Sequence, residues 1–272
     1  MNPFITIFSN CNLDTKLKVV SSFENDQEFT VMVGHQSGVD NVDRAAKALV
    51  RLNCSHLRLA FWIGSNSMWK IPDSVWQLTD VEALFICHNS LEYIPPDILK
   101  LAKLRKLWIY FNPLKGFPEA VCKMERLEGL TVEACRLRTL PSSFASLRTL
   151  VSLALDGNAF EQFPEVICEL ENLRKLQMYD NKLSSLPPSF AKLRELREFE
   201  VGKNCFQEFP AVVCELPNLV SLSMNYNQLS KLPLAITKLV RLNSLNLDGN
   251  PFTSFPLFLG DLNYCTDLSL HG

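Results

Sequence analysis

The sequence has few of the features on which catalysis, metal binding and membrane insertion depend. It has four His, and none of its nine Cys stand at the CxxC spacing of zinc or thioredoxin-like sites. It lacks the apolar run of about 18 residues that a transmembrane helix requires. Its 27 Lys and Arg nearly balance its 29 Asp and Glu, whereas nucleic-acid binders are usually strongly basic. We therefore expect no cofactor, no metal, no membrane contact and no nucleic-acid partner.

The N-terminal segment also lacks the signals of secretion. Its first residues, MNPFITIFSNC, have no basic start followed by a long apolar core, so no signal peptide is predicted. The odd number and even scatter of the Cys are typical of free, mostly buried thiols in a reducing compartment. With 47% apolar and 21% charged residues, the chain can bury a core. These features predict a soluble, cytoplasmic protein.

The sequence does have a strict period of 23 residues. One unit runs nine times without insertion or deletion, from about Leu59 to Leu262. An Asn recurs in phase with a Pro six residues later, and Cys135 occupies the one Asn position that is missing. The Asn residues are Asn66, Asn89, Asn112, Asn158, Asn181, Asn204, Asn227 and Asn250. Two residue types in phase over so many periods indicate a repeat protein, in which stacked units share one continuous core.

The repeat unit reads LxxLxLxxNxLxxLPxxΦxxL, where Φ is apolar. Its LxL step has a period of two and predicts a short strand whose apolar side faces the core. The Asn side chain can bond backbone groups at the corner that follows, and the Pro opens a return segment where its missing N–H does no harm. The next apolar residues fall three apart, as in a short 3₁₀ or α turn.

This unit resembles the leucine-rich repeat family, in its 23-residue intracellular class. The resemblance implies an α/β fold: a curved solenoid with parallel strands on its concave face and short 3₁₀ or α segments on its convex face. A second period of 46 residues, in which the residue before the Pro alternates, is similar to that of intracellular Ras-group leucine-rich repeat scaffolds. The alternating residues are Phe117, Phe163, Phe209 and Phe255 on one side and Ile94, Leu140, Leu186 and Leu232 on the other.

The N-terminal residues do not follow the repeat. The predicted elements are strands at Phe4–Phe8, Leu17–Phe23 and Phe29–Val33, and a helix over Val39–Leu52 that begins at a capping box of Ser37 and Asp40. We divide the chain into an N-terminal capping segment, residues 1–56, and a repeat region, residues 57–272, with nine full repeats and a truncated tenth. The segment either caps the end of the core or forms a small α/β module with its own function.

The C-terminal end carries no polar capping repeat. Leu268 and Leu270 begin a tenth strand, and the sequence stops at Gly272. An open strand edge is a route to pairing with another chain. Three explanations stay open: the strand tolerates exposure, a partner covers it, as in a homodimer through this end, or the chain is a fragment.

A row of aromatic residues stands on the side of the strands that faces away from the core. The position four residues before the Asn holds Trp62, Phe85 and Trp108 on three successive strands, roughly 4.8 Å apart. Exposed aromatic clusters mark interaction sites, and Trp and Tyr are favoured at binding hot spots. The later strands are polar with an acidic tilt, which suits either a basic partner or a solvated face. We predict a concave partner-binding surface of Trp62, Phe85, His88, Trp108, Tyr110, Phe111, Tyr179 and Glu200.

Two functions and one structural explanation fit this surface. The first function is a non-catalytic interaction module or scaffold that binds a protein or peptide. The alternative is a carbohydrate- or small-ligand-binding solenoid that uses the aromatic residues as a stacking platform. The structural explanation is that the N-terminal segment, or self-association, covers the aromatic residues.

The sequence offers no convincing catalytic group. Cys87 and His88 are the only neighbouring Cys–His pair, and adjacency alone supplies neither a placed base nor an oxyanion site. No metal-binding motif of Asp, Glu and His is present. We therefore predict that the chain is not an enzyme, and that Cys87 is at most a reactive surface thiol.

Overall fold

The structure is a computed structural model that describes residues 5–7, 18–22, 28–34, 38–52, 58–64, 68–253, 256–262 and 264–271. Side chains are described for residues 42–50 and, from residue 68 onward, throughout these ranges. The chain divides into two compact units, Met1–Cys135 and Arg136–Gly272. The predicted boundary near residue 56 between a cap and a repeat region stays a prediction.

The first unit is built on one sheet, whose strands lie in sequence order. The strands are β1 (Ile5–Ile7), β2 (Lys18–Ser22), β3 (Glu28–Gly34), β4 (Arg58–Gly64), β5 (Val81–Cys87), β6 (Lys106–Tyr110) and β7 (Gly129–Glu133). The first three strands pair antiparallel, and β3 to β7 pair parallel. Helix α1 (Gly38–Leu52) connects β3 to β4. Later connections carry the 3₁₀ turns Asp73–Gln77, Pro96–Lys100 and Glu119–Lys123.

The second unit repeats one strand and one 3₁₀ turn. Its strands are β8 (Ser152–Ala154), β9 (Lys175–Gln177), β10 (Glu198–Glu200), β11 (Ser221–Ser223), β12 (Ser244–Asn246) and β13 (Asp267–Ser269), all paired parallel. Its 3₁₀ turns are Ser142–Ser146, Glu165–Glu169, Pro188–Lys192, Ala211–Glu215, Leu234–Lys238 and Leu257–Asp261. Each strand pairs with the residue 23 positions later, so equivalent residues of successive repeats lie side by side.

The predicted N-terminal elements are present in the structure. Three strands and one helix lie where the periodicity placed them. Because β3 pairs with β4, this segment extends the parallel strands of the repeats. Helix α1 buries Val42 and Ala46, and its Asp43 carbonyl accepts a bond from Ser74 Oγ at 3.4 Å. Ser37 lies outside the described residues, so the capping box of Ser37 and Asp40 stays a prediction.

The Pro of each repeat initiates a 3₁₀ turn. Pro164 has extended backbone angles, and its carbonyl accepts the N–H of Ile167 at 3.0 Å, which is the i to i+3 bond of a 3₁₀ turn. Pro needs no N–H at this position, because the first N–H groups of a turn have no internal partner. The predicted 3₁₀ return segments are thereby confirmed.

The alternation of large side chains has a packing explanation. Phe163, just before a Pro, packs edge-on against Phe190 in the 3₁₀ turn of the next repeat, with ring centroids 5.3 Å apart. The smaller Ile167 occupies the turn position of the first repeat, and the half-buried Leu186 precedes the Pro of the second. A large residue before the Pro of one repeat therefore packs against a large residue in the 3₁₀ turn of the next repeat. Such a pairing keeps core volume constant over two repeats, consistent with the 46-residue period.

The repeated Asn joins successive repeats through hydrogen bonds. Asn181 donates from Nδ2 to the carbonyls of Leu155, Met178 and Tyr179 at 3.0 to 3.3 Å. Its Oδ1 accepts the N–H of Phe160 in the preceding repeat at 3.2 Å. Asn204, Asn227 and Asn250 make the same set of contacts. Their bonds follow the same pattern at positions 23 residues apart. These bonds pair buried backbone groups at the corner of each repeat.

Cys135 replaces the Asn with a partial set of these bonds. Its Sγ lies 3.1 Å from the Glu133 carbonyl and 3.6 Å from the Ile109 carbonyl. A thiol has no amide oxygen to accept the N–H of Leu114, which bonds instead to the Asn112 carbonyl within its own repeat. The repeat therefore tolerates Cys at position 135, because the Leu114 N–H has a backbone acceptor within the preceding repeat.

Candidate binding surface

Two of the predicted aromatic residues form a parallel stack on the strand face. Phe85 on β5 lies opposite Trp108 on β6, with ring centroids 4.1 Å apart and planes inclined by 3°. Both side chains are half-buried. Trp62 on β4 is the backbone partner of Phe85, and its side chain lies outside the described side chains. The register alone therefore places the three residues in one row, and the stack is shown for two of them.

His88 and Phe111 form a second stack beside the first. Their ring centroids lie 4.4 Å apart with planes inclined by 10°, and both side chains are exposed. They occupy the position just before the repeated Asn, where the backbone is left-handed, with φ of 50° and 49°. The half-buried Tyr110 completes the group. We call Phe85, His88, Trp108, Tyr110 and Phe111 the aromatic surface.

The left-handed backbone before the Asn is a property of the repeat. The residues in this conformation are His88, Phe111, Ala134, Gly157, Asp180, Lys203, Tyr226 and Gly249. A left-handed residue other than Gly costs roughly 1–2 kcal/mol, so Gly is the residue that the backbone favours. The repeat geometry therefore gives no reason for a large aromatic side chain at Phe111.

Replacing Phe111 by Gly is expected to change the free energy of unfolding by less than about 1 kcal/mol. Relief of the left-handed strain offsets the lost His88 stack and the greater entropy of the unfolded chain, each on the order of 1 kcal/mol. The matched variant Phe111→Val puts a β-branched residue at positive φ and should be less stable than Phe111→Gly by about 1–2 kcal/mol. Urea unfolding measures both. Equal stability of the two variants would contradict this account.

Cys87 is buried in the strand and is a poor nucleophile, so the expectation of a reactive surface thiol is wrong. Only 6% of the residue is exposed. Burial, reinforced by the nearby charge of Glu133, raises the pKa of the Cys87 thiol to about 12. The thiolate, which is the reactive form, is therefore scarce at neutral pH. Cys122, Cys135, Cys168 and Cys214 are also buried, in agreement with the predicted mostly buried thiols.

Tyr179 and Glu200 belong to the second unit, where they lie beside the half-buried carboxylate of Asp156. Tyr179 donates its backbone N–H to Asp156 Oδ1 at 2.6 Å, and Glu200 accepts a bond from Gln177 Nε2 at 2.9 Å. Burial raises the pKa of Asp156 to about 6, and the charges of Glu200 and Asp180 act in the same direction. The sequence marked Asp156 only as one of several polar residues, because burial of a strand-face carboxylate depends on its neighbours.

Ser269, Asp248 and His271 form a hydrogen-bonded group on the last strand pair. Ser269 Oγ lies 2.7 Å from Asp248 Oδ1 and 3.1 Å from His271 Nδ1. The same His271 nitrogen lies 3.2 Å from Asp248 Oδ1. A Ser–His–Asp relay uses the two imidazole nitrogens separately, one for Ser and one for Asp. This group therefore lacks the geometry of a relay, and its main effect is to lower the pKa of Asp248 through the bonds from Ser269 and His271.

The described ranges hold no group of three or more His, Cys, Asp or Glu side chains that is placed to bind a metal ion. Within the same ranges, no helix combines the length and hydrophobicity needed to span a bilayer.

Comparisons with known proteins identify the repeat. A family model described as a leucine-rich repeat region matches residues 61–204, which are 144 of the 272 residues. No curated protein sequence matches the chain. A leucine-rich repeat protein of Leptospira interrogans is 27% identical with a TM-score of 0.67, over 82% of this chain and 62% of its own.

Two further structures show the same fold. The Arabidopsis receptor kinase HAESA, solved in complex with a peptide hormone and a co-receptor, is 28% identical with a TM-score of 0.58, over 71% of this chain and 34% of its own. TLR13, solved with a single-stranded RNA, is 24% identical with a TM-score of 0.71, over 87% of this chain and 34% of its own. The chain thus spans less than two thirds of each of these three proteins. The matches confirm the predicted repeat fold.

Proposed function

Because the chain belongs to the leucine-rich repeat family, we propose that it is a non-catalytic interaction module that binds a protein or peptide on the strand face of its first unit. The observation that carries this proposal is the stack of Phe85 on Trp108. Stacked aromatic residues on a strand face bury large apolar area on binding at low cost in side-chain entropy. The core of the repeats does not require these aromatic residues, because it lies on the opposite side of each strand.

The second unit supports the same division between core and surface. Its equivalent positions hold Ala154, Gln177, Glu200, Ser223 and Asn246, and the repeat folds with each of them. Aromatic residues at this position are therefore a feature of the first unit rather than of the repeat. An interaction site accounts for this difference, since exposed aromatic clusters are otherwise unfavourable in water.

The related structures support a protein or peptide partner. The receptor kinase HAESA is described in complex with a peptide hormone and a co-receptor, and it is 28% identical to this chain. TLR13 is described with RNA, but at 24% identity it supports the fold alone. The formal charge of −2 disfavours a nucleic-acid partner here. We further propose a scaffold role in the cytoplasm, in line with the free, buried cysteines.

Affinity capture from a cell extract with quantitative mass spectrometry tests this function. We expect a set of proteins captured by the wild-type chain to fall at least tenfold with Trp108→Ala, because Trp hot spots contribute 2 kcal/mol or more, about 30-fold in affinity. The Trp62/Trp108 double variant should lose more. The control is Tyr226→Ala, which removes an exposed aromatic residue in the second unit and should leave capture unchanged.

Stability measurements accompany the capture experiment. The free energy of unfolding of Trp108→Ala should fall by about 1–2 kcal/mol, since the half-buried indole loses its stack on Phe85 but no core contact. Collapse of the fold in this variant would show that Trp108 belongs to the core. Capture that responds equally to Trp108→Ala and Tyr226→Ala, or enrichment of glycans in place of protein, would overturn the proposal.

A further inference from the structure

One face of the Trp108 indole is covered by Phe85, and the opposite face is directed away from Phe85. The two rings lie on neighbouring strands and are nearly parallel, so their stack runs along the direction from β5 to β6. The opposite indole face is therefore turned toward β7, whose equivalent residue is Thr131. A threonine side chain is much shorter than an indole. The strand face thus has a step, with Trp108 as its wall and Thr131 as its floor.

The step has a carboxylate at one end. Glu133 follows Thr131 by two residues on β7, so both side chains point to the same face about 7 Å apart along the strand. It is half-exposed and lies opposite Tyr110 on the neighbouring strand. Burial raises the pKa of the Cys87 thiol, and the charge of Glu133 acts in the same direction. Glu133 therefore places a negative charge at this end of the step.

The other end of the step is occupied by a lysine stem. Lys106 precedes Trp108 by two residues on β6, and its Cγ would lie 3.6 Å from a Cβ added at Gly129. The stem of Lys106 thus packs over Gly129. Because Lys106 lies two residues before Trp108 and Glu133 two residues after Thr131, the two ends of the step differ in charge.

We propose that the partner places an arginine side chain in this step, with its guanidinium stacked on the Trp108 indole above Thr131 and paired with Glu133. This inference rests on the proposed function and names the chemistry of its partner. A guanidinium is planar, so it can lie flat on an indole face while its N–H groups meet a carboxylate in its own plane. A lysine ammonium is a compact, strongly hydrated charge and cannot make both contacts in this way.

The test begins with random peptides displayed on phage and selected on the wild-type chain. Sequences that are enriched on the wild type and lost on Trp108→Leu define ligands of the aromatic surface. We expect these peptides to share an Arg. One of them is then synthesised with Arg and with citrulline, which has the same shape and no charge. We expect the citrulline form to bind about tenfold more weakly, because it loses the ion pair and the cation–π contact.

Two variants of charged residues, with opposite expected effects on the affinity for the Arg peptide, complete the design. Glu133→Gln should weaken the Arg peptide about tenfold and leave the citrulline peptide unchanged. Lys106→Gln removes a like charge near the guanidinium and should bind the Arg peptide as tightly as the wild type or more tightly. Isothermal titration calorimetry measures all four combinations, and the citrulline comparison needs no change in the protein.

The failure of this inference and the failure of the proposed function give different results. Peptides that depend on Trp108 but show no Arg preference, or equal binding of the Arg and citrulline forms, overturn the arginine proposal and leave peptide binding intact. A selection in which no peptide distinguishes the wild type from Trp108→Leu overturns both.

Discussion

Asn181→Leu is expected to lower the free energy of unfolding by about 3 kcal/mol. The amide of Asn181 donates to three carbonyls and accepts the N–H of Phe160, and only 7% of the residue is exposed. Leucine has nearly the same size but makes none of these bonds. The buried N–H of Phe160 then loses its bond, at about 1–3 kcal/mol, and the carbonyls of Leu155 and Met178 keep the bonds from Asn158 and Asn204, so their weaker pairing adds on the order of 1 kcal/mol.

Two matched variants separate this effect from a general intolerance of substitution. Asn181→Cys should lose less, because a thiol at the same repeat position contacts two carbonyls at Cys135. Asn172→Leu removes an exposed amide that donates to the Arg148 carbonyl, and should cost less than about 1 kcal/mol. Urea unfolding followed by circular dichroism compares all three. A loss below 1 kcal/mol for Asn181→Leu would show that water satisfies the backbone groups.

The fold could be predicted from the sequence because one residue type determines the contacts of each repeat position. The Asn predicts a corner, the Pro predicts a 3₁₀ turn, and Leu at a period of two predicts a buried strand side. These are local properties, so each repeat gives the same prediction independently. The packing of Phe163 on Phe190 could not be predicted in this way, because it depends on which residues of neighbouring repeats meet. The 46-residue period showed that the residues alternate in size, but it did not show which of them are in contact.

The binding surface could be predicted only in outline. Parallel pairing in register aligns Trp62, Phe85 and Trp108, and the period of 23 alone implied that alignment. The left-handed backbone of His88 and Phe111 was not visible in the sequence, because Gly occupies this position in only two of the described repeats. The burial of Cys87 was missed for a related reason, since its position faces the aromatic side in a neighbouring repeat, as Tyr110 does.

Asp156 shows how strongly neighbours alter one repeat position. Asp156 and Asp248 both stand two residues before the Asn, and each accepts the N–H of the residue 23 positions later. Burial raises the pKa of Asp156 to about 6, whereas hydrogen bonds from Ser269 and His271 lower the pKa of Asp248. The ionised form of Asp at this repeat position therefore destabilises the native state at Asp156 and stabilises it at Asp248.

Asp156→Asn should accordingly stabilise the protein at pH 8 and leave it unchanged near pH 4. The folded pKa of Asp156 lies above the usual value of 3.8, so the native state holds the proton more tightly than the unfolded chain. The favourable contribution is complete below about pH 4 and is lost as the pH rises through 6. Asn keeps the acceptor for the Tyr179 N–H without the charge, and the gain at pH 8 is about 1–2 kcal/mol after allowance for partial exposure.

The control for this prediction is Asp248→Asn, for which the sign reverses. The folded pKa of Asp248 is lowered, so its ionised form stabilises the native state above the usual pKa, and the variant should be less stable than wild type at pH 8. Urea unfolding of both variants between pH 4 and pH 8 gives the two curves. The Asp156→Asn curve should approach the wild-type curve near pH 4, where native Asp156 is protonated, whereas Asp248 is still mostly ionised at pH 4 and its variant should remain less stable than wild type there. Parallel curves for the two variants would contradict the account, because it requires the gain of Asp156→Asn over wild type to grow as the pH rises and the loss of Asp248→Asn to be present throughout this range.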